Sequence, residues 1–87
     1  VTYRLQILPS AEREMARLDP EVRRRIDRRI LALADDPRPR GVKALAGPLG
    51  GLRLRVGDWR ILYRVEDDRL VVLIVRVGNR RDVYRSR

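Results

Sequence analysis

The amino-acid sequence predicts an α+β fold, with an N-terminal strand and a two-helix hairpin packed on one face of a mainly antiparallel sheet of four or five strands. Three observations predict it. A first alternating run and a later, wholly apolar run suit strands. Two consecutive segments carry apolar residues at helical spacing. Two further alternating runs meet at Gly57-Asp58, a Gly-first pair typical of a two-residue hairpin turn.

The hairpin over residues 52–65 determines which side chains share a face. With a two-residue turn, Val56 lies opposite Trp59 and Arg55 lies opposite Arg60. Because side chains alternate between faces, one face is apolar. Its members are Leu52, Leu54, Val56, Trp59, Ile61, Tyr63 and Val65, and we expect Trp59 and Tyr63 to lie in the core.

The other face of the hairpin gathers Arg53, Arg55, Arg60 and Arg64. Like charges that oppose each other across a sheet are destabilising. We therefore interpret this face as an anion site, and phosphate is the anion that guanidinium forks suit best. The alternative is a solvated sheet face in an arginine-rich protein.

The segments before the hairpin follow from periodicity and turn residues. Alternation predicts a strand over residues 2–8. Ser10 is a candidate N-cap of a short helix over residues 11–18, and Asp19 is a candidate N-cap of a second helix over residues 20–34 that has Pro20 at its first position. The helices are expected to cover the apolar face and leave the arginine face open.

The segments around and after the hairpin are less regular. Residues 43–51 are predicted to be an irregular stretch that holds Leu45 and Leu49 against the sheet edge. Residues 70–77 are apolar on both faces, which predicts a central strand that Gly78-Asn79 ends. Residues 80–84 are expected to form a short last strand or a turn.

Composition narrows the classes of function. A length of 87 residues predicts one domain over residues 1–87. The 21 basic residues exceed the 12 acidic ones and give a net charge of +9, which favours nucleic acid or an acidic protein as partner. The absence of cysteine and of a long apolar run favours the cytoplasm over a membrane or an oxidising compartment.

Missing residue types exclude much chemistry. The chain has no His and no Cys, so serine-type triads, cysteine nucleophiles and ordinary zinc sites are ruled out. Asp35-Asp36 and Asp67-Asp68 fall in predicted turns and make poor metal cages. We therefore expect no metal and no cofactor, and any catalysis would depend on Arg, Tyr, Lys or lone carboxylates.

Several short motifs occur in a defined order. Lys43-Ala44-Leu45-Ala46-Gly47 is similar to K-x-L-x-G, and Asp58-Trp59-Arg60-Ile61-Leu62-Tyr63 is similar to G-x-(Y/W)-R-(I/L)-x-Y. Residues 77–84 read Val-Gly-Asn-Arg-Arg-Asp-Val-Tyr, which is similar to V-G-(H/K/N)-R-x-x-V-Y. In this order, after a first strand that ends in Pro9-Ser10-Ala11, they resemble the RelE toxins of the wider RelE/ParE toxin–antitoxin group over nearly the whole chain.

The resemblance implies a RelE-like fold and a ribosome-dependent endoribonuclease that cuts mRNA in the ribosomal A site without a metal. It implies that Arg53 and Arg55 match the family's basic pair, that Arg60 holds the phosphate, and that Arg80 lies near the leaving group. Tyr84 matches the base-stacking tyrosine. It also implies a cognate RelB-like antitoxin, with which the toxin forms a hetero-oligomer that binds operator DNA through the antitoxin.

Further contacts to RNA are expected at the periphery. We place Arg64 and Arg81 next to the substrate strand, and an antitoxin contact is the alternative for Arg64. Arg24 and Arg28 lie on a helix face that is either solvated or in contact with ribosomal RNA through its phosphates. The role of Arg76 stays open at this point.

One departure from the family pattern concerns the proton acceptor. The family's basic pair is often lysine, which can lose a proton, whereas the guanidinium groups of Arg53 and Arg55 stay protonated. Either Tyr84 or solvent takes the proton, or transition-state electrostatics carries most of the rate, or this member is a weak nuclease. Two other functions stay open: a ParE-like gyrase poison with the same fold, and a binding module that only receives an antitoxin.

Overall fold

The computed structural model describes residues 1–47 and 50–79. Its elements in chain order are β1 (Arg4–Ile7), α1 (Pro9–Ala16), α2 (Pro20–Leu33), β2 (Lys43–Ala44), β3 (Leu52–Val56), β4 (Trp59–Glu66) and β5 (Val71–Asn79). The strands form one sheet in the order β1-β5-β4-β3-β2, antiparallel except for the parallel β1·β5 pair. The predicted α+β class is confirmed.

The β3–β4 hairpin has the predicted register. Val56 lies opposite Trp59, Arg55 opposite Arg60 and Leu54 opposite Ile61. Gly57 is the first residue of the turn and has a φ of +61°, a backbone conformation that residues other than glycine rarely adopt. The turn therefore fixes the register, and the register fixes the face on which each hairpin arginine lies.

The helices cover the apolar face of the sheet. α1 contacts β5 and α2 contacts β3. Tyr63 is fully buried, and Trp59 is partly buried against the same cluster, as predicted. The residues at the centre of this cluster are Ala11, Met15, Ile26, Ile30, Leu33, Leu54, Ile61, Val72, Ile74 and Val77.

β5 is an interior strand, as its apolar sequence predicts, but it lies between β1 and β4, and β4 is the middle strand of the five. β5 also continues to Asn79 instead of ending before Gly78. Its pairing with β4 shifts between Leu62 and Tyr63, and Val75 is left outside the ladder. The hydroxyl of Ser10 donates to the carbonyl of Val75 at 3.2 Å. A β-bulge of this kind disrupts pairing locally, and here a side chain replaces the missing partner.

Of three local predictions, the N-cap position of Asp19 is confirmed and the other two were wrong in detail. Ser10 is not an N-cap, because α1 begins at Pro9 and its N-cap is Leu8. Asp19 occupies the N-cap of α2 but makes no side-chain capping hydrogen bond. The stretch over residues 43–51 is partly regular, because Lys43–Ala44 pairs with β3 as a fifth strand.

The predicted last strand or turn at residues 80–84 and the predicted contact of Leu49 lie outside the described residues. Neither helix of the described part of the chain is long and apolar enough to cross a membrane.

Candidate functional site

The sheet face opposite the helices, hereafter the open face, carries the hairpin arginines. Arg55 on β3 pairs with Arg60 on β4, and Arg60 in turn lies opposite Gly78 on β5. Residues paired in this way share a face of the sheet. Because Gly78 has no side chain, the space beside the Arg60 guanidinium is not filled by its β5 neighbour.

A second row crosses the open face one step further along the strands. Lys43 on β2 pairs with Arg53, and Arg53 lies opposite Leu62, whose β5 partner is Arg76. The sequence did not identify Lys43 as a site residue, because a strand of two residues is too short to show an alternating pattern. The register therefore adds the chain's one lysine to the predicted cation set.

The guanidinium groups differ in exposure. Arg55 is exposed, and its Nε donates to the carbonyl of Gly57 at 3.1 Å. Arg60 is half-buried, with its Nε enclosed by protein, and Arg53 is also half-buried. Arg64 lies four residues after Arg60 on the same face of β4, and it is exposed. Within residues 1–47 and 50–79, no carboxylate forms an ion pair with Arg55 or Arg64.

Arg76 has a structural role that the sequence left open. Its Nε and Nη2 each lie 2.8 Å from Oε2 of Glu14 on α1. The other carboxylate oxygen of Glu14 accepts the backbone N–H of Val77 at 2.8 Å. The pairing of β1 with β5 ends at Ile74, and beyond it Glu14 accepts the backbone N–H of Val77. The charge of Arg76 is compensated there by the carboxylate of Glu14.

A hydrogen-bonded cluster of Tyr3, Arg38 and Asp67 lies at the end of the sheet where β4 turns into β5. Arg38 grips Asp67 through Nη1 and Nη2 at 3.1 and 2.8 Å, and the Tyr3 hydroxyl donates to the same carboxylate at 2.6 Å. The hydrogen bonds from Arg38 and Tyr3 lower the pKa of Asp67 to about 2. Arg38 and Arg64 also border a shallow cleft with Gly51, Leu52 and Val65.

Beneath this cluster, the Tyr63 hydroxyl donates to the carbonyl of Pro37 at 2.6 Å in the interior. Burial raises the pKa of Tyr63 to about 12. This tyrosine therefore stays protonated at ordinary pH and supports the fold instead of exchanging protons with a ligand.

The remaining predicted site residues divide into two groups. Arg24 and Arg28 lie exposed on α2, and the helices pack on the sheet face opposite the open face. Arg80, Arg81 and Tyr84 lie outside the described residues. The structure thus brings together Arg53, Arg55, Arg60 and Arg64, with the end of β5 leading away beside Arg60.

This arrangement suits the binding of an extended polyanion. Guanidinium groups hold phosphate oxygens through paired donors, and they stabilise negative charge that develops at phosphorus. The described residues contain no cluster of carboxylates that could hold a metal ion. The fold and the open face together define a small basic α+β protein whose sheet has one arginine-rich face without helices.

Comparison with known proteins narrows this class. A family model described as the ParE toxin of the type II toxin–antitoxin system parDE matches residues 5–84. Toxin RelG of Mycobacterium tuberculosis is 31% identical over 88 residues, which cover 95% of this chain and 97% of RelG. The chain therefore belongs to the ParE toxin family of type II toxin–antitoxin systems, and it is a RelE-type member of the RelE/ParE superfamily.

Solved structures agree with this assignment. The RelBE2 toxin–antitoxin complex of Mycobacterium tuberculosis contains a chain of 30% identity that superposes with a TM-score of 0.81, over 92% of this chain and 100% of that one. The archaeal RelE–RelB complex from Pyrococcus horikoshii gives 28% identity and a TM-score of 0.81, over 92% of this chain and 97% of that one. The predicted RelE-like fold is confirmed.

Proposed function

We propose that this toxin is a ribosome-dependent mRNA endoribonuclease that cuts without a metal. The observation that carries the proposal is the open face, where Arg55 and Arg60 oppose each other and Arg53 follows one step away. A sheet selected for stability alone would not place like charges in register. A phosphodiester bound between these side chains would neutralise the repulsion.

In the proposed reaction the 2′-oxygen of one nucleotide attacks the adjacent phosphorus. The bond from phosphorus to the 5′-oxygen breaks, which leaves a 2′,3′-cyclic phosphate and a 5′-hydroxyl. Arg60 holds the phosphate, and Arg53 and Arg55 stabilise the charge of the transition state. Arg80 would assist the departing oxygen and Tyr84 would stack on a base to splay the strand.

The proton acceptor is not an arginine in this proposal, since guanidinium does not deprotonate in proteins. Lys43 pairs with Arg53 on the open face, and an amine, unlike a guanidinium, is a side chain that can serve as a general base. Lys43 therefore joins Tyr84 and solvent as an acceptor to test, beside a mechanism in which electrostatic stabilisation carries the rate.

The proposed partners follow from the family and from charge. The related chains from Mycobacterium tuberculosis and Pyrococcus horikoshii were solved in complex with antitoxins. We propose that a RelB-like antitoxin silences this toxin and links the complex to operator DNA. Arg64 and Arg81 would contact the mRNA, and Arg24 and Arg28 would contact ribosomal RNA through its phosphates.

Gyrase poisoning is not favoured as an alternative. The matching family model bears the ParE name, but the relatives and solved structures described above are RelE-type toxins. Primer extension on translated mRNA separates the two functions, because cuts inside codons on ribosomes support the nuclease. DNA breaks that depend on gyrase would overturn it.

Replacement of Arg60 provides the sharpest test. We expect Arg60→Gln to lower the cleavage rate about 100-fold or more, the size of effect seen when one donor to a developing oxyanion is removed. Arg40→Gln is the matched control, because Arg40 is exposed and belongs to the turn between α2 and β2, outside the sheet. Circular dichroism should show both variants folded. Cleavage by Arg60→Gln at the rate of the control would contradict the proposed site.

Tyr84 and Arg80 test the part of the site beyond the described residues. We expect Tyr84→Ala to weaken cleavage more than ribosome binding, because stacking positions the nucleotide and is not needed for attachment. Arg80→Ala should abolish cleavage with the fold intact. Ribosome cosedimentation and primer extension measure the two properties, and equal losses of both for Tyr84→Ala would argue against stacking.

A further inference from the structure

A second basic cleft lies on the helix side of the hairpin turn. It is lined by Arg25, Arg28 and Arg29 of α2, with Val56 and Gly57 of the hairpin completing it. The three arginines are spaced i, i+3 and i+4, so their side chains leave the same face of the helix. All three are exposed. This cleft, hereafter the turn cleft, is separate from the open face.

The arginines of the turn cleft carry uncompensated charge. In the described ranges, no carboxylate forms an ion pair with Arg25, Arg28 or Arg29. Asp27, the acidic residue among them in sequence, pairs with Arg23 instead. Three guanidinium groups around one concave surface repel each other unless an anion joins them.

Gly57 connects the turn cleft to the open face. Nη2 of Arg25 lies 2.9 Å from the position that a β-carbon on residue 57 would occupy, so the guanidinium packs against the tip of the hairpin. On the same residue, the carbonyl accepts a hydrogen bond from Nε of Arg55. Guanidinium groups from the two surfaces thus touch a single residue at the tip of the hairpin.

We propose that the turn cleft is a second phosphate-binding site, which takes the backbone of an RNA segment other than the one being cut. Arginine forks suit phosphate oxygens, and a helix face with three of them contacts a backbone without reading sequence. Continuity with the open face through Gly57 favours RNA over an acidic peptide. The inference rests on the proposed function for the choice of RNA as the polyanion.

The test measures binding of the toxin to a short duplex RNA stem by fluorescence anisotropy, over a range of salt concentrations. Each phosphate contact contributes about 0.7–0.9 to the slope of log K against log[salt]. We expect the triple variant R25Q/R28Q/R29Q to lower that slope by roughly 2 and to bind at least tenfold more weakly. The control R13Q/R17Q/R40Q removes equal charge from exposed sites elsewhere and should lower the slope by less than half as much.

A second variant keeps the positive charges and removes the paired hydrogen-bond donors of the guanidinium groups. R25K/R28K/R29K should bind the stem several-fold more weakly than the unaltered toxin and more tightly than the glutamine variant, because lysine lacks paired donors. Circular dichroism checks that each variant is folded. Equal affinity and equal slope for R25Q/R28Q/R29Q and its control would overturn the proposal.

Two further outcomes separate this site from its alternatives. If R25Q/R28Q/R29Q loses affinity for polyglutamate but keeps its affinity for the RNA stem, the cleft takes an acidic peptide and the proposal is wrong. If the toxin binds the stem through these arginines but leaves translated mRNA uncut, the nuclease function fails and the turn cleft stands.

Discussion

Arg55 and Arg60 oppose each other across the β3–β4 ladder, where a carboxylate opposite an arginine would stabilise the hairpin. Nε of Arg55 donates a hydrogen bond to the carbonyl of Gly57, and Nε of Arg60 is buried within the protein. Both side chains are therefore positioned by the fold without mutual neutralisation. If the proposed phosphate site is right, this positioning reduces the ordering needed on binding.

This opposition predicts an unfavourable coupling between the two residues. In a double-mutant cycle with Arg55→Gln and Arg60→Gln, we expect the pair to destabilise the fold by about 0.2–1 kcal/mol relative to the sum of independent effects. Urea denaturation measures the free energy of unfolding for the four proteins. The coupling should shrink at high salt, because ions screen exposed charges. A favourable coupling would mean that the two guanidinium groups do not repel each other across the ladder.

Single residues also show where sequence reasoning ends. Ser10 has the composition of an N-cap, but the helix begins one residue earlier at Pro9 and the Ser10 hydroxyl serves Val75. Glu14 looks like an ordinary surface residue of an amphipathic helix, yet it pairs with Arg76 and completes the edge of β5. Both contacts join residues more than 60 positions apart, and local patterns carry no information about them.

At the scale of elements, the β3–β4 hairpin was predictable down to its register. A two-residue turn leaves one way to pair the strands, and alternation then assigns every side chain to a face. The parallel place of β1 beside β5, the two-residue strand β2 and the bulge at Val75 were not. The sequence of β5 is apolar on both faces, so it does not alternate and cannot show where a bulge residue is inserted. The two residues of β2 are a strand because they pair with β3, which their own sequence does not show.

The cluster of Tyr3, Arg38 and Asp67 joins the residue before β1, the α2–β2 loop and the β4–β5 turn, and it predicts a pH dependence of stability. The pKa of Asp67 is about 2 in the folded chain against an ordinary value of 3.8. The ionised carboxylate therefore stabilises the fold above about pH 4, and this contribution is lost as the pH falls toward 2. We expect Asp67→Asn to flatten this part of the stability profile.

The matched control for that prediction is Asp68→Asn, because Asp68 is exposed and makes no hydrogen bond among the described residues. Urea denaturation between about pH 4 and pH 2 compares the variants with the unaltered chain. An identical slope of stability against pH for Asp67→Asn and the unaltered chain would show that the cluster does not hold Asp67 ionised.

At the scale of the whole molecule, the net charge of +9 is distributed over both sides of the sheet. Arg53, Arg55, Arg60 and Arg64 occupy the open face, and Arg24, Arg25, Arg28 and Arg29 occupy α2. The sequence predicted an anionic partner, the first of these surfaces and an RNA contact for Arg24 and Arg28 on α2. It did not predict the turn cleft, because the approach of Arg25 to Gly57 depends on how α2 packs over the hairpin.

Two basic surfaces on a chain of 87 residues predict that cleavage depends on the ribosome. The open face is a shallow sheet surface, and its contacts with phosphates do not by themselves fix the geometry that in-line attack requires. A ribosome that holds the mRNA and also engages α2 would supply that geometry. We expect unstructured mRNA in solution to be cut at least 100-fold more slowly than the same message on translating ribosomes. Primer extension with matched toxin concentrations measures both rates, and comparable cutting of the two substrates would show that the toxin positions the strand unaided.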